Sequence, residues 1–290
     1  MEMIRKAVIP AAGFGTRVLP MTKAVPKEML PIVDKPSIQY IVEECVKSGI
    51  TDILIITTRG KEVIEDHFDK SPELERALDK PGKENLLEQV KGISDLANIY
   101  YLRQKEAKGL GHAILCAKEF TGNEPFMVLY PDDVIFGEKP VALQLIEAYN
   151  EFGKACVGIK TVAPEAISRY SSLKVENLKD NIYDVTDMIE KPAKGKEFSL
   201  YSILGRCLLT PDIYPILEET KPGAGGEIQL TDAMAVLARE GKMTGVDFIG
   251  KRYDMGNKLG VMMANIEQGV LHNEIGEDFK AYLKEFVKTL

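Results

Sequence analysis

The chain has 290 residues, 45% of them apolar, with 37 basic against 44 acidic side chains and a formal charge of −7. This length allows one large α/β domain or two small ones, with enough apolar residues for a full core. The acidic balance and the lack of a basic stripe argue against a nucleic-acid partner, although a few local cations can still grip a small anion.

With no apolar run near about eighteen residues and no N-terminal signal-like stretch, no membrane partner is expected and the chain is assigned to the cytoplasm. Cys45, Cys116, Cys156 and Cys207 are scattered in apolar settings without Cys-x-x-Cys spacing. They are expected to be buried free thiols rather than ligands or disulfides.

The first predicted strand, Lys6–Ile9, runs into Pro10-Ala11-Ala12-Gly13-Phe14-Gly15-Thr16-Arg17 and then into Thr22-Lys23-Ala24-Val25-Pro26-Lys27. Small residues and two glycines let backbone N–H groups approach an anion, and Arg17, Lys23 and Lys27 bring positive charge to the same strand end. Neither familiar glycine motif fits. A dinucleotide fingerprint would need glycine at Val18, and a P-loop would need Gly-Lys-Ser/Thr where Gly15-Thr16-Arg17 stands. A nucleotide is the favoured ligand, and the alternative is a tight turn followed by a basic surface loop.

Further strands are predicted at Asp52–Thr57, Ile99–Arg103, Phe126–Tyr130, Ala155–Lys160 and Lys174–Glu176, most alternating with amphipathic stretches. That rhythm predicts an α/β fold with a mostly parallel, Rossmann-like central sheet and helices on both faces. The segment 61–98 reads as helical cover with a loop near Pro81, a scaffold rather than a catalytic element. In such sheets ligands sit beyond the carboxyl ends of the strands. There the chain places the glycine loop, Thr57-Thr58-Arg59-Gly60, Gln104 through Gly109 to His112, and Pro131-Asp132-Asp133.

Later come Glu190-Lys191-Pro192, a short strand near Ser199–Leu204, a helix beginning near Gln229, and Arg252 to Asn257 before another helix. In 273–288 the apolar positions Ile275, Phe279, Leu283 and Phe286 predict one buried stripe, which would cover the domain or meet a second subunit. The Pro/Gly stretches at 81–83, 191–196 and 221–226 are too short for flexible linkers, so residues 1–290 are expected to form a single domain.

Asp132 and Asp133 after an apolar strand are costly unless they reach solvent or a cation. Magnesium wants one or two carboxylates plus substrate phosphates, so Asp132, with Asp254 from a second loop, is a candidate pair. Strand alternation turns only one of the adjacent aspartates to the site, and an Asx-turn is the alternative role. His67, His112 and His272 lack metal spacing, and His112 is expected to cap or orient a neighbour or to be structural. No base is needed if the nucleophile is a phosphate oxygen, which is mostly dianionic above a second pKa of roughly 6. Arg17 and Lys27 would then neutralise a developing pyrophosphate, Lys191 would screen the incoming phosphate, and Glu190 would accept from sugar hydroxyls.

Taken together, Ala11 to Pro20, Pro26-Lys27-Glu28-Met29-Leu30-Pro31, Gly109-Leu110-Gly111-His112-Ala113, Asp132-Asp133, Glu190-Lys191-Pro192, Gly226-Glu227-Ile228-Gln229-Leu230-Thr231-Asp232 and Tyr253-Asp254-Met255-Gly256 resemble the bacterial and archaeal UTP–glucose-1-phosphate uridylyltransferases. The resemblance covers nearly the whole chain. It implies a nucleotide-diphospho-sugar transferase fold, dependence on Mg2+, and reversible conversion of UTP and glucose 1-phosphate into UDP-glucose and pyrophosphate. It implies that Ala11, Ala12 and Gly13, with Gly15 in the same loop, lie along the nucleotide and that Arg17 and Lys27 address its phosphates. Gln104 and Gly109 match the uracil contacts, Asp132 and Asp254 the magnesium ligands, and Glu190 and Lys191 the contacts to glucose hydroxyls and phosphate.

A homodimer or homotetramer, aided by the C-terminal region, is also implied. After Tyr170 the family usually has glycine where this chain has Ser171-Ser172, so a sugar pocket of different shape, or one that accepts another hexose 1-phosphate, is expected. The competing readings are a thymidylyltransferase acting on the same sugar phosphate and a non-catalytic sugar-nucleotide sensor.

Overall fold

Parallel strands buried on both faces read as unbroken apolar runs. Ala7-Val8-Ile9, Ile53-Leu54-Ile55-Ile56 and Phe126-Met127-Val128-Leu129 fill that role in the computed structural model, which describes residues 3–290. β1 (Lys6–Pro10) leads through short 3-10 turns into a small ribbon, β2 (Pro31–Ile32) with β3 (Lys35–Pro36), and then into α1 (Ser37–Lys47) and β4 (Asp52–Thr57). The expected helical cover follows as α2 (Glu62–Phe68), α3 (Pro72–Leu78) and α4 (Glu84–Ser94) before β5 (Asn98–Arg103). Next come α5 (Leu110–Leu115), α6 (Lys118–Thr121), β6 (Phe126–Leu129), β7 (Asp133–Phe136), α7 (Val141–Phe152) and β8 (Ala155–Thr161). A long hairpin, β9 (Ser171–Lys179) and β10 (Ile182–Glu190), precedes β11 (Tyr201–Leu209), α8 (Ile213–Glu219) and α9 (Leu230–Arg239). The chain closes with β12 (Met243–Asp247), β13 (Lys251–Asp254), α10 (Lys258–Gly269) and α11 (Gly276–Val287).

Among the described residues nine strands form one sheet in the order β5-β4-β1-β6-β11-β8-β12-β10-β9. Alternate side chains feed two cores. Ala7 and Ile9 join α1, α2, α7 and α10 on one face, while Val8 joins α5, α8 and α9 on the other. Cys45, Cys156 and Cys207 are buried as expected, and Cys116 is half-buried.

The sheet is more mixed than the sequence rhythm suggests. The β5–β4, β4–β1, β1–β6 and β8–β12 pairings are parallel, whereas β11 runs antiparallel to both β6 and β8, and β10 antiparallel to β12 and β9. The cause is the β9–β10 hairpin, turned at Asp180-Asn181 with Asp180 at φ 49°. Aspartate tolerates that left-handed conformation. A hairpin reverses the chain without a crossover helix, so the alternation of strand and helix stops there.

The C-terminal stripe is only partly covered by the chain's own fold. Phe279 and Leu283 are half-buried, with Phe279 packed on Gly269, but Ile275 and Phe286 are exposed, at 41% and 44%. Helical period locates an apolar face without saying what covers it. Among the described residues no helix is long and apolar enough to cross a membrane.

Candidate active site

β1 delivers its following loop to the end of the sheet where β4, β5 and β6 also finish. Ala11 is fully buried: its N–H donates to the Ile56 carbonyl (2.8 Å) and its own carbonyl accepts from Lys61 Nζ (2.5 Å). Gly15 adopts φ 67°, and a Cβ there would stand 3.1 Å from Lys27 Cβ, so this glycine lets the Lys27 segment close onto the loop. Ala12 and Gly13 line a cleft of about 500 Å³, bordered by Lys27, Gln104, Gly109 and Asp132. Ala11 and Gly15 shape this loop from behind and do not line the cleft.

The charges converge at one side of the cleft. Lys27 Nζ meets Asp132 Oδ2 at 2.7 Å, and the mostly exposed Arg17 reaches both Asp132 (3.3 Å) and Asp254 (3.8 Å). Burial would lift the Asp132 carboxyl, but Lys27 and then Arg17 outweigh it and hold Asp132 below its ordinary range. Burial would likewise lower Lys27, and Asp132 followed by Glu28 raises it instead. The two aspartates come together because β7 and β13 pair, setting Asp254 opposite Asp133, while Met255 N–H donates to the Asp132 carbonyl (2.7 Å). Asp254 Oδ1 accepts from Gly256 N–H (2.8 Å), and Tyr170 donates to its Oδ2 (3.5 Å).

Asp133 turns the other way, as strand alternation requires. It is buried against Arg252, whose Nη2 lies 2.5 Å from its Oδ1. Burial first, then Asp132 and Asp254 working against Arg252, push Asp133 up to about 6. Asp132 and Asp254 offer two hard oxygen donors already sharing one cationic group, Arg17. Among the described residues no cluster of three or more His, Cys, Asp or Glu side chains forms a closed metal cage. Such an open pair fits magnesium, which completes its shell with water and phosphate oxygens.

At the opposite wall Gln104 Nε2 lies 3.2 Å from the Gly109 carbonyl and 2.9 Å from His112 Nδ1. Gly109 has φ 97°, and a Cβ there would lie 2.6 Å from Glu227 Cβ and 2.9 Å from the Ile228 carbonyl oxygen. Gly111 N–H donates to the Ile228 carbonyl and Ile228 N–H to that of Lys108, both at 2.8 Å. Two glycine-bearing segments far apart in sequence are thereby zipped together at the cleft rim.

Glu190 and Lys191 stand outside this cleft, and Tyr170 links Lys191 to Asp254. Glu190 Oε2 accepts from Thr231 (2.8 Å), and burial raises the Glu190 carboxyl. Lys191 holds φ 47°, donates its N–H to the Tyr170 carbonyl (2.9 Å) and leaves its half-exposed ammonium 3.9 Å from Glu190. Ser171 and Ser172 are both buried. Ser171 Oγ accepts from Ile203 N–H (3.1 Å), while Ser172 Oγ accepts from Phe198 and Ser199 N–H groups and donates to the Ser199 carbonyl. Both hydroxyls are taken up in fastening β9 to β11 and the segment before it.

Residues missed from sequence include Lys61, Glu28 and Arg252. Lys61 Nζ donates to Glu28 Oε2 (2.8 Å) as well as to Ala11, beneath the floor of the cleft. Burial draws both partners toward neutrality, raising Glu28 and lowering Lys61, with their mutual attraction opposing it. Lys61 stands just past the strand-end segment Thr57-Gly60, and Arg252 lies within β13 on the strand face of Asp254, positions that by themselves do not announce a buried ion pair.

Residues 6–267 match the Nucleotidyl transferase family. The UTP–glucose-1-phosphate uridylyltransferase of Bacillus subtilis (strain 168) is 50% identical over 98% of this chain and 97% of its own length. The protein of the same description from Staphylococcus epidermidis (strain ATCC 12228 / FDA PCI 1200) is 49% identical over 98% of this chain and 99% of its own. Among solved structures, a UTP-bound UGPase from Acinetobacter baumannii superposes with a TM-score of 0.90 at 36% identity, covering 98% of this chain and 99% of that one. A UDP-glucose pyrophosphorylase complexed with UDP-glucose gives 0.84 at 43% identity over 92% and 98%. A putative glucose-1-phosphate thymidylyltransferase from Bacillus anthracis, at 24% identity and 0.71 over 90% and 94%, shares the fold.

Proposed function

The chain belongs to the UTP–glucose-1-phosphate uridylyltransferases within the nucleotidyl transferase family, and we propose that it works by magnesium-assisted in-line displacement at Asp132 and Asp254. It is an enzyme that joins the uridylyl group of UTP to glucose 1-phosphate, giving UDP-glucose and pyrophosphate. The observation that carries the mechanistic proposal is that Asp132, just after β6, and Asp254, at the end of β13, share Arg17 beside a cleft lined by Gln104 and Gly109.

A phosphate oxygen of the sugar phosphate attacks the α-phosphorus of UTP, the new P–O bond forms, and the bond to the β-phosphate oxygen breaks to release pyrophosphate. The dianionic nucleophile needs no base, so positioning and charge neutralisation are the protein's task. Ala12 and Gly13 let the backbone approach the nucleotide, and Gln104 and Gly109 meet the base. Arg17 leaves the aspartates for the triphosphate, and Lys27, whose raised pKa keeps it charged, screens the leaving pyrophosphate. Bound at Asp132 and Asp254, Mg2+ would supply charge neutralisation on the reacting phosphate oxygens. Glu190 accepts from glucose hydroxyls and the exposed Lys191 ammonium takes the sugar phosphate.

The whole chain is one catalytic unit in this reading, working as a homodimer or homotetramer. The exposed apolar residues Leu259, Met262, Ile266, Ile275 and Phe286 along α10 and α11 support self-association, which light scattering tests. Pyrophosphate release with magnesium, across UTP, dTTP, ATP and GTP paired with glucose, galactose and N-acetylglucosamine 1-phosphates, tests the substrate assignment. Selective release with UTP and glucose 1-phosphate is expected. Preference for dTTP would move the assignment to a thymidylyltransferase.

A further inference from the structure

The Gly109 carbonyl can only accept a hydrogen bond, so the Gln104 atom 3.2 Å from it must be the amide NH2 group. The same nitrogen lies 2.9 Å from His112 Nδ1, which must therefore be an unprotonated acceptor, with the ring neutral and its hydrogen on Nε2. Cys116 Sγ, 4.0 Å from Nδ1, is a weak donor and suits the same tautomer. Both amide hydrogens of Gln104 are thus committed to protein. Its Oε1 makes no hydrogen bond among the described residues, and Gln104 lines the cleft. What the side chain has left for a ligand is an acceptor.

We infer that His112 is a positioning residue that locks the Gln104 amide with its oxygen toward the base and so sets the preference for uracil over cytosine. The inference rests on the reading that Gln104 meets the base. Uracil carries a hydrogen on N3 and donates to such an oxygen, whereas cytosine presents a lone pair there. A protonated His112 would set an N–H against the amide N–H, releasing the amide to rotate. Burial first, then Lys108, lower the His112 pKa against the weaker pull of Glu106 and keep the ring neutral near pH 7. Among the described residues no charge from β1, α8 or α9, which pack on α5, acts on the ring.

The test is the ratio of kcat/KM for UTP over CTP, measured with magnesium and glucose 1-phosphate in wild type, Gln104→Ala, His112→Ala and His112→Asn. Mispairing a buried polar group should cut this ratio about 10- to 100-fold in Gln104→Ala and His112→Ala. His112→Asn, whose Oδ1 can replace the Nδ1 acceptor, should keep most of the discrimination. An unchanged ratio in Gln104→Ala would defeat the reading that Gln104 meets the base. A changed ratio there with an unchanged ratio in folded His112→Ala would overturn the role of His112, as would equal loss in a folded His112→Asn. Should the His112 variants not fold, the pH profile of the ratio decides: toward acid it should fall further in wild type than in Gln104→Ala, which reports any titration of the nucleotides themselves, and equal profiles would overturn the inference.

Discussion

Replacing Lys61 with methionine removes one ammonium of similar length and strikes two partners at once. Glu28, whose side chain is fully buried, loses the 2.8 Å contact to its Oε2 while its Oε1 already lacks a partner among the described residues. The Ala11 carbonyl loses its 2.5 Å donor directly behind the Ala12-Gly13 lining of the cleft. Breaking a buried pair in this way typically costs about 3–5 kcal/mol. With an unfolding entropy of about 2.1 cal/mol/K per residue, a chain of this length should lose roughly 5–8 °C in Tm.

Burial raises the Glu28 pKa and Lys61 is its largest opposing charge, so in the variant the folded-state pKa rises further. A raised carboxyl pKa stabilises below the unfolded value and loses that contribution as pH rises through the folded one. The deficit should therefore be larger at pH 8 than at pH 5. Adding Glu28→Gln should restore part of the loss, since contacting residues couple by about 0.5–3 kcal/mol. Thermal unfolding of the single and double variants at both pH values measures this, alongside KM for UTP, which should rise. A single variant melting within about 1 °C of wild type, or a double variant no better than the single one, would refute the account of Lys61 as support for the loop.

Asp132→Ala should fold and yet lose roughly a hundredfold or more of kcat, because several kcal/mol of phosphate charge stabilisation depend on its carboxylate; wild-type turnover at saturating magnesium would remove Asp132 from the metal site. Lys191→Ala should raise KM for glucose 1-phosphate by about tenfold with a smaller effect on UTP, and steady-state kinetics with each substrate varied would detect the opposite pattern. Gly109→Ala pushes a Cβ to 2.6 Å from Glu227 Cβ at φ 97°. It should lower Tm by a few degrees, roughly 1–3 kcal/mol of strain, and weaken UTP binding more than glucose 1-phosphate binding, which calorimetric titration with each ligand checks.

The apolar strands, the glycine loop and the strand-end aspartate were legible in the sequence because each is local. An unbroken run such as Phe126–Leu129 suits a strand buried on both faces, and a carboxylate just past it must reach solvent or a cation. Lys61 was not legible, since a lysine opening an amphipathic stretch usually faces water, and only the packing of α2 beside the glycine loop buries it. The same limit hid Arg252 and left open what covers the 275–286 stripe.

By itself the sequence determined that β1 ends in a glycine-bearing loop suited to an anion, that the cations Arg17 and Lys27 follow it, and that Asp132 stands at a strand end. These follow from backbone sterics, charge and apolar periodicity within a few residues. Tertiary structure alone decided that β7 and β13 pair to bring Asp254 to Asp132, that Asp133 is spent on Arg252, and that Gln104 is oriented by Gly109 and His112. Those outcomes depend on register and close approach between segments distant in the chain, where a shift of one residue turns a side chain to the opposite face.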